Sequence, residues 1–231
     1  MAMNNIPTVT KNLLIINVLF YMGTLAFQKY GIDVHSLFGL HFFKASDFRI
    51  YQLVTYMFLH DGFQHIFFNM FAVWMFGRVL ENIWGPKKFL VFYLVCGIGA
   101  GITQELVQWA HYSLTLANYD SVNMAGRIIM MDQYLNMMLT VGASGAVYGI
   151  LLGYGMTFPN NPIFIMPFPF PIKAKWLIIG YIVLELVLGL SNNPGDNVAH
   201  FAHLGGMLFG YLLILYWKNN RKKYGDIHFR Y

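Results

Sequence analysis

The sequence predicts an all-α membrane protein of six transmembrane helices, with both ends on the inner side of the bilayer. Three observations predict it. Only 11% of the 231 residues are charged and 57% are hydrophobic, whereas a soluble domain carries about 25% charged residues. Six segments come close to the ~20 apolar residues that cross ~30 Å of hydrocarbon: residues 12–29, 65–84, 88–109, 140–158, 174–190 and 198–217. The basic residues are also sorted. With the N-terminus inside, only Lys29, Lys44, Arg49 and Arg127 of the 15 basic residues fall outside, as retention of positive charge on the cytoplasmic side requires.

Each element follows in chain order. No small-residue cleavage site follows segment 12–29, and it exceeds a signal-peptide core in length, so it reads as a retained span. Residues 30–64 form the first outer loop. After the second and third spans, residues 110–139 read as a solvated insertion carrying Asp120, Arg127 and Asp132, with room for a short amphipathic helix. Met124, Met130, Met131, Met137 and Met138 in it cover apolar surface. The fourth span leads into a proline-rich inner turn at 159–173 (Pro159, Pro162, Pro167, Pro169, Pro171). The fifth span carries a lone mid-span carboxylate, Glu185. A basic tail, 218–231, follows the sixth, so residues 1–231 are expected to form a single transmembrane domain. The single cysteine, Cys96, excludes an intramolecular disulfide framework. Topology accounts for the net charge of +5, and no nucleic-acid partner is expected.

In this topology the second, fourth and sixth spans run from outside to inside, and each begins with a polar cluster. On the second it is His60-Asp61-Gly62-Phe63-Gln64-His65, with Asn69 one turn on. On the fourth it is Gly142-Ala143-Ser144-Gly145, with Tyr148 and Gly149. On the sixth it runs from Asn197 through His200 and His203 to Gly206 and Gly210. Three clusters far apart in sequence are thus expected at one membrane depth.

Glycine spacing suggests how they meet. Gly145, Gly149 and Gly153 share one helix face, as do Gly206 and Gly210, and such stripes let helix backbones approach closely. Ser144 adjoins the first stripe and His203 lies one turn before the second. Packing through the stripes would therefore bring Ser144 to His203. A serine hydroxyl needs a positioned base to act as a nucleophile, and histidine supplies one near working pH. Acyl transfer also needs donors for the developing oxyanion. His65 and Asn69, four apart on one face, carry such N–H groups, although the pair reads equally well as an interhelical hydrogen bond. His200 rivals His203 as base; the spacing to Gly206 and Gly210 favours His203.

Together these residues resemble rhomboid proteases. Gly142-Ala143-Ser144-Gly145 resembles the family's GxSG motif, His65-x-x-x-Asn69 its second-span HxxxN, and His203-x-x-Gly206-x-x-x-Gly210 its sixth-span HxxGxxxG. The resemblance covers residues 12–217 and implies a six-helix rhomboid-like bundle. It implies a Ser–His dyad without a third acid, with Ser144 as nucleophile and His203 as general base. The oxyanion site would be His65, Asn69 and the backbone N–H of Ser144, and Tyr148 would stack on the catalytic imidazole. Glu81 followed by Gly85 resembles a structural feature at the inner end of the second span. The implied activity is serine-type endopeptidase cleavage in or beside the transmembrane helix of a membrane-protein substrate. No metal and no cofactor are implied, and bacterial inner membrane is the expected location. One departure is Tyr51-Gln52, where the family commonly has Trp-Arg, which bears on how the first loop is anchored.

Three other readings compete with this one. A zinc site on His60, His65, His200 and His203 lacks an HExxH pattern and leaves Gly142–Gly145 unexplained. Transport through Glu185 lacks the inverted repeat that many transporters show. A catalytically inactive rhomboid-like protein binding membrane helices is the third; such proteins typically lose the serine or histidine, and this chain keeps both.

Overall fold

The computed structural model describes residues 6–124, 126–164, 170–191 and 199–220. Parts of the proline-rich turn (165–169), the residues before His200 (192–198, including Asn197) and the basic tail from 221 lie outside the described residues.

Helix α1 (Thr8–Gln28) leads into a first loop holding α2 (Val34–Phe38), β1 (Leu40–His41) and α3 (Gln52–Thr55). A continuous helix then runs from Phe63 to Trp84. It comprises α4 (Phe63–Ala72), a π-turn (Val73–Gly77) and α5 (Arg78–Trp84). Gly85 ends it with φ 82°, the left-handed conformation only glycine takes at little cost, and Pro86 opens the next helix. That helix is α6 (Pro86–His111), prolonged by a π-turn to Leu116. A hairpin of β2 (Ser121–Met124) and β3 (Arg127–Met130) follows, then α7 (Met131–Met137) and β4 (Leu139–Thr140). Helix α8 is Ser144–Thr157, β5 (Pro162–Ile163) pairs with β6 (Ile172–Lys173), and α9 (Ala174–Ser191) and α10 (His200–Asn219) complete the bundle.

Among the described residues, five helices are long and apolar enough to cross a membrane: Thr8–Gln28, Phe63–Trp84, Pro86–Leu116, Ala174–Ser191 and His200–Asn219. The fourth expected span, 140–158, is a correction. Only 144–157 is helical, 14 residues or roughly 21 Å, because Leu139–Thr140 is an extended strand paired antiparallel with Leu40–His41. A helix shielded from lipid can be this short. Gly145, Ala146, Val147, Gly149 through Gly153, Gly155 and Thr157 are all buried. The third helix is longer than its expected 88–109, and the expected loop 110–139 holds a hairpin and a helix. Leu135 of α7 packs with Phe42 and Ala45 of the first loop in a small core of their own.

The centre of the bundle is α6, α8 and α10, packed at glycines. A Cβ on Gly206 would lie 1.9 Å from the carbonyl oxygen of Gly145, so α8 and α10 touch backbone to backbone. Gly149 faces both the Gly206 carbonyl and Cys96 of α6, while Gly210 faces Cys96 and Phe92. The stripes therefore pack on α6 as much as on each other. Gly205 sits against Thr103, and Gly99 against Phe209, closing the α6–α10 contact.

Around this centre, polar side chains clasp outer segments. Glu81, 3% exposed, accepts the backbone N–H of Val9 (2.9 Å) and of Thr10 (2.7 Å) and the Thr10 hydroxyl (2.7 Å). It thus satisfies first-turn donors of α1 that have no intrahelical partner. Gln52 anchors the first loop: its Oε1 accepts the Arg49 N–H (2.9 Å), and its Nε2 donates to the Asp47 carbonyl (3.0 Å). Glu105 adds a hydrogen bond from the Phe43 N–H at 2.7 Å.

Candidate active site

Ser144 is the first residue of α8, so its side chain projects from a helix start and its backbone N–H belongs to the donors a helix leaves unpaired. The preceding Gly142 has φ 128° and donates its own N–H to the Tyr56 carbonyl at 2.9 Å. A Cβ at Gly142 would lie 2.8 Å from His65 Cε1 and Nε2. Glycine here serves both the backbone conformation and the approach of the His65 ring to the Ser144 loop.

His203 faces Ser144 from α10. Its Nε2 lies 2.8 Å from Ser144 Oγ, a hydrogen-bond distance. The Tyr148 ring, one turn after Ser144, stacks on the His203 imidazole with centroids 4.2 Å apart and planes 8° from parallel. A cavity of about 350 Å³ opens beside these groups, lined by Tyr56, Asp61, His65, Val141, Gly142, Ser144, Ala199 and His203 among others. A larger cavity of about 640 Å³ lies between α1 and the first loop. It is lined by the hydroxyls of Tyr21 and Thr24, the latter bonded to the Phe20 carbonyl, and by no serine or cysteine.

The structure thus brings Ser144, His203, Tyr148 and His65 together, with Gly145, Gly149 and Gly206 at the helix contacts. Asn69 stands one turn beyond His65, buried, and does not line the cavity. Its Nδ2 has no hydrogen-bond partner among the described residues, leaving a donor unspent.

His200 does not reach Ser144. Its Nδ1 lies 2.6 Å from Glu185 Oε2, and His203 Nδ1 lies 3.0 Å from the same oxygen. The other carboxylate oxygen, Oε1, accepts the Tyr148 hydroxyl. In the sequence Glu185 reads as a lone mid-span carboxylate, weighed for transport, and the resemblance assigns the site no acid; the structure has it hydrogen-bonded within the bundle. The available signal was the pair His200 and His203, three residues apart and so able to turn two ring nitrogens toward one acceptor. As for metal-binding groups among the described residues, the ligand atoms of Glu185, His200 and His203 lie within 4.8 Å of one another. His60 and His65 belong to no such group, although their rings approach to 4.9 Å. In the zinc reading, then, the four histidines do not converge.

His60, just before α4, is 1% exposed. Burial, then the neighbouring His65, push its pKa down to about 3, so it is neutral at ordinary pH. Burial also pushes the Tyr56 hydroxyl up; it donates to the Gly97 carbonyl at 2.6 Å and ties α6 to the loop beneath the cavity.

Comparison with known proteins gives the family of the chain. Residues 47–219 match the Rhomboid domain family model. The chain is 27% identical over 214 residues to Rhomboid protease AarA of Providencia stuartii, covering 88% of this chain and 70% of that protein. It is 29% identical to the chloroplastic Rhomboid-like protein 11 of Arabidopsis thaliana, over 87% of this chain and 62% of that one. To Rhomboid protease GlpG of Yersinia pseudotuberculosis the identity is 28%, over 73% of this chain and 48% of the relative. The chain belongs to the rhomboid family and is an integral membrane protein.

Proposed function

We propose that this rhomboid-family chain is an intramembrane serine endopeptidase in which Ser144 attacks a peptide carbonyl while His203 takes its proton. The observation that carries the reading is the 2.8 Å contact between Ser144 Oγ and His203 Nε2, made across two helices whose backbones meet at Gly145 and Gly206. The Oγ–carbon bond forms as the hydroxyl proton passes to Nε2. The oxyanion is received by His65 and the Ser144 N–H, with Asn69, whose Nδ2 donor is unspent one turn beyond His65 behind the cavity wall, as the third donor of the oxyanion site once substrate is bound. His203 then gives its proton to the leaving amine, and a water activated by the same ring hydrolyses the acyl-enzyme.

Substrates are transmembrane helices of other proteins, entering from the bilayer and unwinding locally. Unwinding frees backbone groups that are costly to leave unpaired in lipid, so helices weakened by glycine or proline are preferred. The bundle is taken to cross the membrane six times, N-in and C-in, with α8 as the shielded fourth crossing and residues 1–231 as one domain. Its cavity opens to the outer water of a bacterial inner membrane.

Labelling with a fluorophosphonate tests the nucleophile directly. Purified wild type should be labelled and Ser144→Ala should not. Equal labelling of both, or none of a folded wild type, would contradict the assignment and turn attention to a helix-binding protein without catalysis.

A further inference from the structure

We propose that Glu185 is a positioning residue for His203, completing a three-member chain Glu185–His203–Ser144 contributed by α9, α10 and α8. The inference rests on the reading of Ser144 and His203 as nucleophile and base, and it deepens that reading. Glu185 sits 3% exposed on a helix whose only other buried residues are Ala174 and Ile178. Membrane helices rarely carry a carboxylate unless it faces a partner or a functional path, and this one faces three groups. Its Oε2 lies 3.0 Å from His203 Nδ1 and 2.6 Å from His200 Nδ1, and its Oε1 accepts the Tyr148 hydroxyl.

The chemistry follows from the acceptor. An ionised carboxylate only accepts hydrogen bonds, so His203 must carry its proton on Nδ1 when neutral. That tautomer leaves the Nε2 lone pair pointed at the Ser144 hydroxyl, 2.8 Å away. The opposite tautomer would set an N–H against the hydroxyl and could not accept its proton. When Ser144 attacks, its proton goes to Nε2 and the ring becomes an imidazolium, while Glu185 keeps its charge and faces the new cation. The carboxylate therefore interacts more strongly with the transition state than with the resting enzyme, as acceleration requires. It also holds the ring by a second route, because the tyrosine it bonds stacks on His203 at 4.2 Å. His200 shares the carboxylate through its Nδ1, 2.6 Å from Oε2, and so helps to hold Glu185 in place.

The test compares wild type with Glu185→Gln, Glu185→Asp and His200→Gln in liposomes. It reads the fluorophosphonate labelling rate, kcat and KM on a reconstituted transmembrane substrate, and thermal stability. Glu185→Gln should lower kcat and labelling about 10²- to 10⁴-fold, with KM changed only a few-fold because substrate does not touch Glu185. Glu185→Asp keeps the charge on a shorter stem and should recover part of that loss, falling about 10- to 10²-fold below wild type. His200→Gln should fall far less than Glu185→Gln. A folded Glu185→Gln within about threefold of wild type would overturn the proposal. So would a His200→Gln loss as large, because Glu185 would then act through His200. If Glu185→Gln does not fold, Glu185→Asp decides: a lower kcat at unchanged KM supports the proposal, and wild-type kcat overturns it. Wild type that resists labelling would overturn the nucleophile reading itself, whereas labelled wild type with an indifferent Glu185→Gln sinks only the role of Glu185.

Discussion

The centre of this bundle and its periphery are held by different forces. Helices α6, α8 and α10 meet where glycines remove side chains altogether, so their separation is set by backbone against backbone. Helices α1 and α9 bury much less. Only 22% of the membrane-length window of α1 and 17% of that of α9 is buried, against 50% for α10. Each outer helix is instead fastened at a buried carboxylate: Glu81 caps the start of α1, and Glu185 joins α9 to His200, His203 and Tyr148. In lipid, apolar contact between helices gains little, because the solvent is as apolar as leucine. Close packing and polar clasps are the two remaining means, and this chain uses one inside and the other outside.

If that division is right, the largest damage comes from separating the central helices. Gly206→Val would place its Cβ 1.9 Å from the Gly145 carbonyl oxygen, where only the backbone can yield. Overpacking of this kind costs about 1–3 kcal/mol or more, and parting α8 from α10 lengthens the Ser144–His203 contact. A marked fall in melting temperature together with loss of fluorophosphonate labelling is expected. A variant that labels like wild type would show that the glycine contact does not set the site.

Glu81→Ala should come next. It strands two backbone donors and the Thr10 hydroxyl at the start of α1, and an unsatisfied buried donor costs about 1–3 kcal/mol. Thermal unfolding should report that loss, while Ser144 labelling below the melting temperature stays near wild type. Equal damage to labelling would mean that α1 and the centre form one cooperative unit.

Acidification probes the first loop, at His60, which lines the cavity against α1. Its pKa is depressed from 6.5 to about 3 in the fold, so the unfolded chain binds the proton more readily. Stability is therefore full above pH 6.5 and falls as pH drops toward 3, by at most about 1.4 kcal/mol per unit. From pH 7 to pH 5 this group alone should remove about 2 kcal/mol. The slope of melting temperature against pH should flatten in His60→Gln; an unchanged slope would assign the effect elsewhere.

The smallest effect is expected at Gly180 on α9, where a Cβ would meet nothing within 4 Å. Gly180→Ala should leave melting temperature and labelling within error or raise stability slightly, by up to about 1 kcal/mol. A large loss there would mean that α9 is packed as tightly as the centre.

The same contrast explains what the sequence disclosed. Ser144, His203 and the glycines beside them were legible because close packing leaves a periodic mark, a small residue every fourth position. The outer helices were legible as apolar runs and nothing more. Hydropathy counts apolar residues without regard to conformation, so it carried the fourth span back from α8 through the non-helical residues 141–143 to Thr140, the end of a strand. The central place of α6 was not read, although Cys96, Ala100 and Thr103, spaced by four and three, share the face that meets the glycines of α8 and α10. Glu185 could be seen but not connected. Its partners stand on two other helices, and the rotation of α9 that turns it toward them has no periodic signature. Gln52 was legible as a departure in the first loop, but not as the residue that anchors it.

Cleavage of a membrane-embedded substrate tests the central claim most directly. A single-span protein with a glycine-containing helix would be reconstituted with the enzyme in liposomes, and the products mapped by mass spectrometry. The account predicts one cut in or beside the membrane helix by wild type, and none by Ser144→Ala or His203→Ala of wild-type melting temperature. An intact substrate with folded wild type, or the same cut made by Ser144→Ala, would contradict it.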